Sequence, residues 1–255
     1  MSNILEIVEL SKDFGGLHAI DNFNLKLEQG HIHGLIGPNG AGKTTIFNNI
    51  TGVYRPTSGK IFFCGKEITG MAPSHVAAGG IGRTFQNIKL FSNLNVIDNV
   101  IIASNLEADY GLLQTFLRMP KYRSEEKRLR KKAMELLQIV GLTDYATSIA
   151  ASLPYGHQRK LEIARALALN PKLLLLDEPA AGMNFEESLE LISFIKKVKE
   201  EFDLTILMIE HHMDVVAGLC DAATVLNFGK TLAEGSVEDV KKEQAVIDAY
   251  LGVED

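Results

Sequence analysis

The chain has 255 residues, enough for one large α/β domain or a core with a smaller lobe. Its 46% hydrophobic and 23% charged residues are ordinary for a globular protein, and a net charge of −6 works against nucleic-acid binding. The two cysteines, Cys64 and Cys220, lack metal-type spacing and are expected as buried thiols in a reducing compartment. No apolar run approaches the ~20 residues of a membrane span. The N-terminus shows no basic region followed by an apolar core, so a cytosolic protein is expected, free to dock on a membrane protein.

Residues 4–10 alternate apolar and polar side chains, which predicts a strand. Gly15-Gly16 turns the chain, and Phe23 to Leu27 alternates again. The apolar stretch His31-Ile32-His33-Gly34-Leu35-Ile36 then leads into Gly37-Pro38-Asn39-Gly40-Ala41-Gly42-Lys43-Thr44-Thr45, a complete G-x-x-x-x-G-K-[ST] run. A helix is predicted from Thr44 to Ile50. Glycines let consecutive N–H groups turn toward one anion without Cβ clashes, and the helix adds the positive end of its dipole. Lys43 can reach the β- and γ-phosphates and Thr44 can ligate Mg²⁺. A glycine-rich turn with a chance lysine would not account for the strand before it and the helix after it. Lys43 is expected as a partly exposed charge facing the ligand.

Beyond this loop, Thr57-Ser58-Gly59 is a turn, Lys60 to Cys64 a short strand, 73–78 a short helix broken at Gly79-Gly80, and Ile81 to Phe85 a strand. From Asn95 to Leu142 the pattern is helical. Within it Arg118, Lys121, Arg123, Lys127, Arg128, Arg130, Lys131 and Lys132 form a basic run. It reads as a patch for nucleic acid or lipid headgroups, or, the preferred reading, as the solvated face of a helix. That helix would bury Leu129, Ala133, Leu136, Leu137 and Val140. From residue 156 βα alternation resumes. A helix is predicted over 158–169, then the strand Leu173–Leu176. Helix 184–201 follows, with a stripe at Phe185, Leu189, Ile192, Ile195 and Val198. A strand 204–209, a short helix and a strand 223–228 turning at Gly229-Lys230 complete the pattern. Such alternation predicts a mainly parallel sheet with helices on both faces.

Leu173-Leu174-Leu175-Leu176-Asp177-Glu178 is an apolar strand ending in two carboxylates, and ligands in such sheets bind at the carboxyl ends of strands. Asp177 suits Mg²⁺, through its water shell, and Glu178 suits polarisation of an attacking water. A buried strand that merely ends in acids is the alternative; the complete phosphate loop elsewhere in the chain argues against it. His31 and His33 lie two apart and could share a strand face, but no third ligand is near in sequence, so no zinc site is expected.

With these residues in place, the chain resembles the ATPases of ABC transporters over essentially its whole length, Ile4 to Gly252. Leu153-Pro154-Tyr155-Gly156-His157-Gln158 looks like their signature, usually Leu-Ser-Gly-Gly-Gln. The resemblance implies a P-loop NTPase core, 1–87 with 156–255, carrying an N-terminal antiparallel β portion, and a helical subdomain over 88–155. It places Phe14 against adenine, although a core role for Phe14 is the alternative. It makes Gln86 a contact of Mg²⁺ and of the attacking water, Ala181-Gly182-Met183-Asn184 a loop crossing a dimer interface, and His211 the switch that touches the γ-phosphate. His212 is expected to be exposed or to support its neighbour.

The runs Gly82-Arg83-Thr84-Phe85-Gln86-Asn87, Leu161-Glu162-Ile163-Ala164-Arg165-Ala166, Asp177-Glu178-Pro179-Ala180-Ala181-Gly182-Met183-Asn184 and Ile209-Glu210-His211, with the tail Ala249-Tyr250-Leu251-Gly252, look like the larger ATPase subunit of branched-chain amino acid importers. Importers of urea or short amides and lipopolysaccharide-export ATPases are the neighbouring alternatives. A soluble ABC protein acting on ribosomes or DNA is a different class. It would carry two ATPase units, long coiled coils or zinc modules, none of which the sequence shows. A non-catalytic regulator is argued against by Lys43, Asp177, Glu178 and His211.

The resemblance further implies ATP with Mg²⁺, held by Thr44, Gln86 and Asp177. It implies two ATPase subunits closing head to tail, of the same or different sequence, with each ATP between one phosphate loop and the other subunit's signature, Gly156 included. Partners would be transmembrane permease subunits and, indirectly, a substrate-binding protein, at the cytoplasmic face of the inner membrane. The chain departs from the pattern at Pro154, which has neither hydroxyl nor N–H, at Tyr155 and His157, and at Asn184 where an aspartate is usual.

Overall fold

Alternating side chains at the start of the chain build a long antiparallel pair, β1 (Asn3–Phe14) and β2 (Leu17–Glu28), turned at Gly15-Gly16. Both run further than alternation predicts, because the ladder between them continues through Lys12–Ile20, Asp13–His18 and Phe14–Leu17 to the turn. The computed structural model describes residues 3–104 and 120–251; Arg118 of the basic run and Gly252 of the tail lie outside them. The chain divides into two compact units, Met1–Gln86 with Lys172–Asp255, and Asn87–Pro171.

In the first unit, β1 and β2 join β4 (Ser58–Phe63) and β5 (Lys66–Glu67) in an antiparallel sheet ordered β2-β1-β4-β5. The second sheet is ordered β10-β9-β3-β8-β7-β6. Its members are β3 (Ile32–Ile36), β6 (Ile81–Arg83), β7 (Leu173–Asp177), β8 (Thr205–Ile209), β9 (Ala222–Asn227) and β10 (Lys230–Gly235). All pairings are parallel except the β9–β10 hairpin. Strands β3, β7 and β8 are buried at every residue, as near-continuous apolar runs require when helices cover both faces. Each fully buried Leu of β7 contributes about 2 kcal/mol by removal from water.

Helix α1 (Lys43–Ile50) sends Ile46, Phe47 and Ile50 into a core shared with Leu5, Phe23, Leu175 and Leu207. Helix α2 (Pro73–Ala78) starts on a proline and runs into the Gly79-Gly80 break.

The second unit contains α3 (Val96–Ser104), α4 (Pro120–Ile139) and α5 (Tyr155–Leu167). Leu129, Ala133, Leu136, Leu137 and Val140 are buried, as the solvated-face reading of the basic run requires. The unit continues to Pro171 instead of ending at 155, so α5 belongs to it: the helix packs with α3 and α4.

Back in the first unit, α6 (Phe185–Glu201) starts at a reciprocal cap. Asn184 Oδ1 accepts from the Glu187 N–H at 3.0 Å and Glu187 accepts from the Asn184 N–H at 2.9 Å. Its buried face is Leu191, Phe194, Ile195 and Val198; Phe185 and Leu189, expected inside, are exposed. Helices α7 (Met213–Leu219), α8 (Val237–Val240) and α9 (Gln244–Leu251) complete the unit. Val216, Val237, Val240 and Val246 pack on Ile36 and Val225 there. The cysteines differ from expectation: Cys64 is exposed, in a β4–β5 turn, and only Cys220 is largely covered, its thiol pushed up to about 12 by burial. Among the described residues no helix is long and apolar enough to cross a membrane.

Candidate functional site

Strand β3 delivers the chain into the phosphate loop, and two glycines there have no room for a side chain. A Cβ on Gly37 (φ 143°) would lie 2.1 Å from the Leu226 carbonyl oxygen. One on Gly42 (φ 105°) would lie 2.5 Å from Ile20 Cδ1. Gly42 is the residue from which α1 departs, so the loop's N–H groups and the helix start face one side. That side opens into a cleft of about 720 Å³ lined by Asn39 to Thr45, Phe14, Leu17, His18, Gln86 and Glu178, with Phe228 and Gly229 at its rim.

Lys43 is only 6% exposed, not the partly exposed cation expected. Its Nζ donates to the carbonyls of Gly37 at 2.6 Å and Pro38 at 2.9 Å. Burial lowers its pKa, an effect that the carboxylates of Glu178 and Asp177 partly oppose. Phe14 is 40% exposed and faces the cleft, edge-on to Tyr54 with centroids 5.1 Å apart, so it does not fill the core.

The parallel register sets the carboxyl ends of β6, β7 and β8 side by side. Asp177 ends β7, and Glu178 follows in the left-handed region (φ 46°), costly for a residue with a Cβ. The Glu178 N–H donates to the Ile209 carbonyl at 2.9 Å. Its carboxylate accepts from Gln86 Nε2 at 2.8 Å and lies 3.8 Å from His211 Nδ1. Asp177 is buried and paired with Arg83 at 3.0 Å. The structure therefore gathers Phe14, Asn39, Gly40, Ala41, Gly42, Lys43, Thr44, Thr45, Gln86 and Glu178 around one cleft. Gly37 and Pro38 stand just behind, through the Lys43 contacts. Asp177 lies beneath Glu178, and His211 beside it. Gly156 is the second residue of α5, in the helical unit.

Sequence reasoning missed two residues. Arg83 lies on β6 with its guanidinium on Asp177, Asn48 Oδ1 (2.7 Å) and Thr51 Oγ1 (3.2 Å). A charged residue in a short buried strand three positions before Gln86 was the available signal. Glu210, the acid before His211, is fully buried and accepts from three backbone N–H groups, with His212 Nδ1 3.2 Å from its Oε2. Glu210, His211 and His212 gather within 4.8 Å of one another. Glu210's oxygens are occupied by N–H donors, so the cluster is a hydrogen-bonded one. His33 also has a partner: its ring is 2.8 Å from Thr224 Oγ1 inside the sheet.

The residues fit a triphosphate with Mg²⁺. The loop supplies N–H donors and a buried ammonium for the anion. Thr44 hydroxyl, Gln86 amide and Asp177 carboxylate are the hard oxygen donors that Mg²⁺ selects.

Comparison with known proteins accords with this geometry. The ABC transporter family pattern matches residues 20–181, and that of the branched-chain amino acid ATP-binding cassette transporter matches 230–255. The chain is 42% identical, over 98% of both chains, to the high-affinity branched-chain amino acid transport ATP-binding protein BraF of Pseudomonas aeruginosa. It is 41% identical, again over 98% of both, to the corresponding protein LivG of Escherichia coli K12. A crystal structure of the ADP conformation of MJ1267, an ATP-binding cassette of an ABC transporter, superposes with a TM-score of 0.86. Sequence identity there is 29%, covering 99% of this chain and 100% of that one.

Proposed function

The chain belongs to the ABC transporter family, and from that membership we propose that it is the ATP-hydrolysing subunit that drives branched-chain amino acid import through a membrane permease. The observation that carries the chemistry is the meeting of Lys43, Gln86 and Glu178 at one cleft. ATP lies with its triphosphate along Asn39 to Thr45 and its adenine on Phe14. Lys43 exchanges its two carbonyl partners for β- and γ-phosphate oxygens, and the incoming negative charge opposes the lowering of its pKa by burial. Thr44, Gln86 and Asp177 would hold Mg²⁺, which would supply positive charge to offset the negative charge on the transferring phosphoryl group. Glu178 polarises the attacking water, Gln86 holds that carboxylate in place, and His211 registers the γ-phosphate.

The site is completed across a dimer by the signature of a second ATPase subunit, Gly156 serving the partner's nucleotide in turn. The pair sits on permease subunits at the cytoplasmic face of the inner membrane, supplied by a substrate-binding protein. Glu178→Gln tests the reading. It should bind ATP, accumulate a closed dimer and lose roughly 10²–10⁴-fold in turnover. Turnover above about a third of wild type, far short of a general-base loss, would remove Glu178 from the catalytic role.

A further inference from the structure

Two loops must keep a fixed spacing if Glu178 and His211 are to meet one γ-phosphate. One runs from Asp177 through Ala180, the other from Ile209 through His212. They leave adjacent parallel strands in register, Asp177 beside Ile209. One more backbone bond, from the Glu178 N–H to the Ile209 carbonyl at 2.9 Å, holds them; past it a side chain takes over. Glu210 is fully buried. Its Oε1 accepts from the Ala180 N–H at 3.0 Å, in the loop that carries Glu178. Its Oε2 accepts from the N–H groups of His211 at 2.9 Å and His212 at 3.1 Å, and lies 3.2 Å from His212 Nδ1. One carboxylate thus faces both loops, one oxygen toward each.

We infer that Glu210 is a positioning residue: it clamps the Glu178 loop to the His211 loop and sets the distance between the water-polarising carboxylate and the switch histidine. It does so without touching nucleotide. Only a group with an acceptor at both ends can serve. An alcohol or an apolar residue leaves one or both loops unheld, and an amide of the same size turns an NH₂ toward N–H donors on one side or the other. His212 has a matching part: its ring closes the second oxygen's contacts and keeps its own loop against the acid.

The inference rests on the roles proposed for Glu178 and His211, so Glu178→Gln is measured beside it. The decisive variant is Glu210→Gln, which preserves volume and one acceptor. Steady-state ATP hydrolysis, ATP affinity and nucleotide-free melting are followed on the purified full-length chain. A displacement of order 1 Å costs up to about 100-fold in rate, so kcat should fall roughly 10- to 100-fold while KM and ATP affinity stay within about threefold. If Glu210→Gln does not fold, Glu210→Asp decides by the same criteria, because it keeps the charge but is one methylene too short to reach both loops. A kcat within about twofold of wild type, beside an inactive Glu178→Gln, would overturn the clamp while leaving the catalytic reading intact. Parallel loss of ATP affinity and kcat would assign Glu210 a general structural role instead and also overturn it. An active Glu178→Gln would remove the catalytic reading, and the clamp with it.

Discussion

At the phosphate loop, Lys43 is buried on two carbonyls of its own loop, and a Cβ on Gly37 or Gly42 would collide with backbone or core atoms. At the start of α5, Pro154 stands at the N-cap with no side-chain acceptor for the first turn, and Tyr155 is 44% exposed. The first region is closely packed around its backbone. The second is a surface with a buried Arg159–Glu162 ion pair beneath it at 2.8 Å. The difference teaches where this chain places its rigidity. On the proposed function, the nucleotide's phosphates meet the closely packed loop, while the exposed start of α5 is offered to a second subunit.

Substitutions on the two sides should therefore behave differently. The largest effect is expected at Lys43. Lys43→Met removes a desolvated cation from the anion site and should weaken ATP roughly 30- to 4000-fold, read by nucleotide titration. Unchanged affinity would break the assignment of the cradle.

Next is acid stability of the strand that feeds the loop. Burial, helped by the charge of His31, lowers the His33 pKa from 6.5 to about 4. Between those values the unfolded chain binds a proton that the folded one refuses. Stability is thus fully present above 6.5 and is lost as pH falls toward 4, by up to about 3 kcal/mol. His33→Gln should flatten that part of the melting-temperature profile. An equally steep profile in the variant would mean that another group titrates there.

Smaller still is Phe14→Ala, which should weaken ATP about 5- to 150-fold, as loss of one stacked base contact does, with little change in nucleotide-free melting. A large drop in melting with unchanged affinity would return Phe14 to the core. Tyr155→Ala sharpens the contrast from the other side. It should leave ATP affinity of the isolated chain unchanged; a loss there would show that the signature serves its own chain's nucleotide.

Much of this was legible in the sequence where residues that act together are also neighbours along it. The loop from Gly37 to Thr45, the Asp177-Glu178 strand end and the buried β3, β7 and β8 were readable because a local run carries each. Arg83 was not, because its partner Asp177 is 94 positions away and only strand pairing joins them. Glu210 was hidden by the histidine after it. The stripe on α6 was misjudged by a turn: period alone cannot tell which turns of a helix the sheet covers. The closing helices α8 and α9 were missed because Val237, Val240 and Val246 are too sparse to show a period, although they close the end of the sheet. The helical unit was placed from 88, but its far boundary was set at the signature. Only packing of α5 with α3 and α4 moves it to Pro171.

The bonds from Lys43 to Gly37 and Pro38 also make the loop a reporter of nucleotide binding. Those two carbonyls accept from the Lys43 ammonium and would lose that donor to a bound polyphosphate. A ¹³C label at either carbonyl should shift its amide stretch to higher frequency on nucleotide binding. The departure of the lysine could then be timed separately from the closing of a dimer.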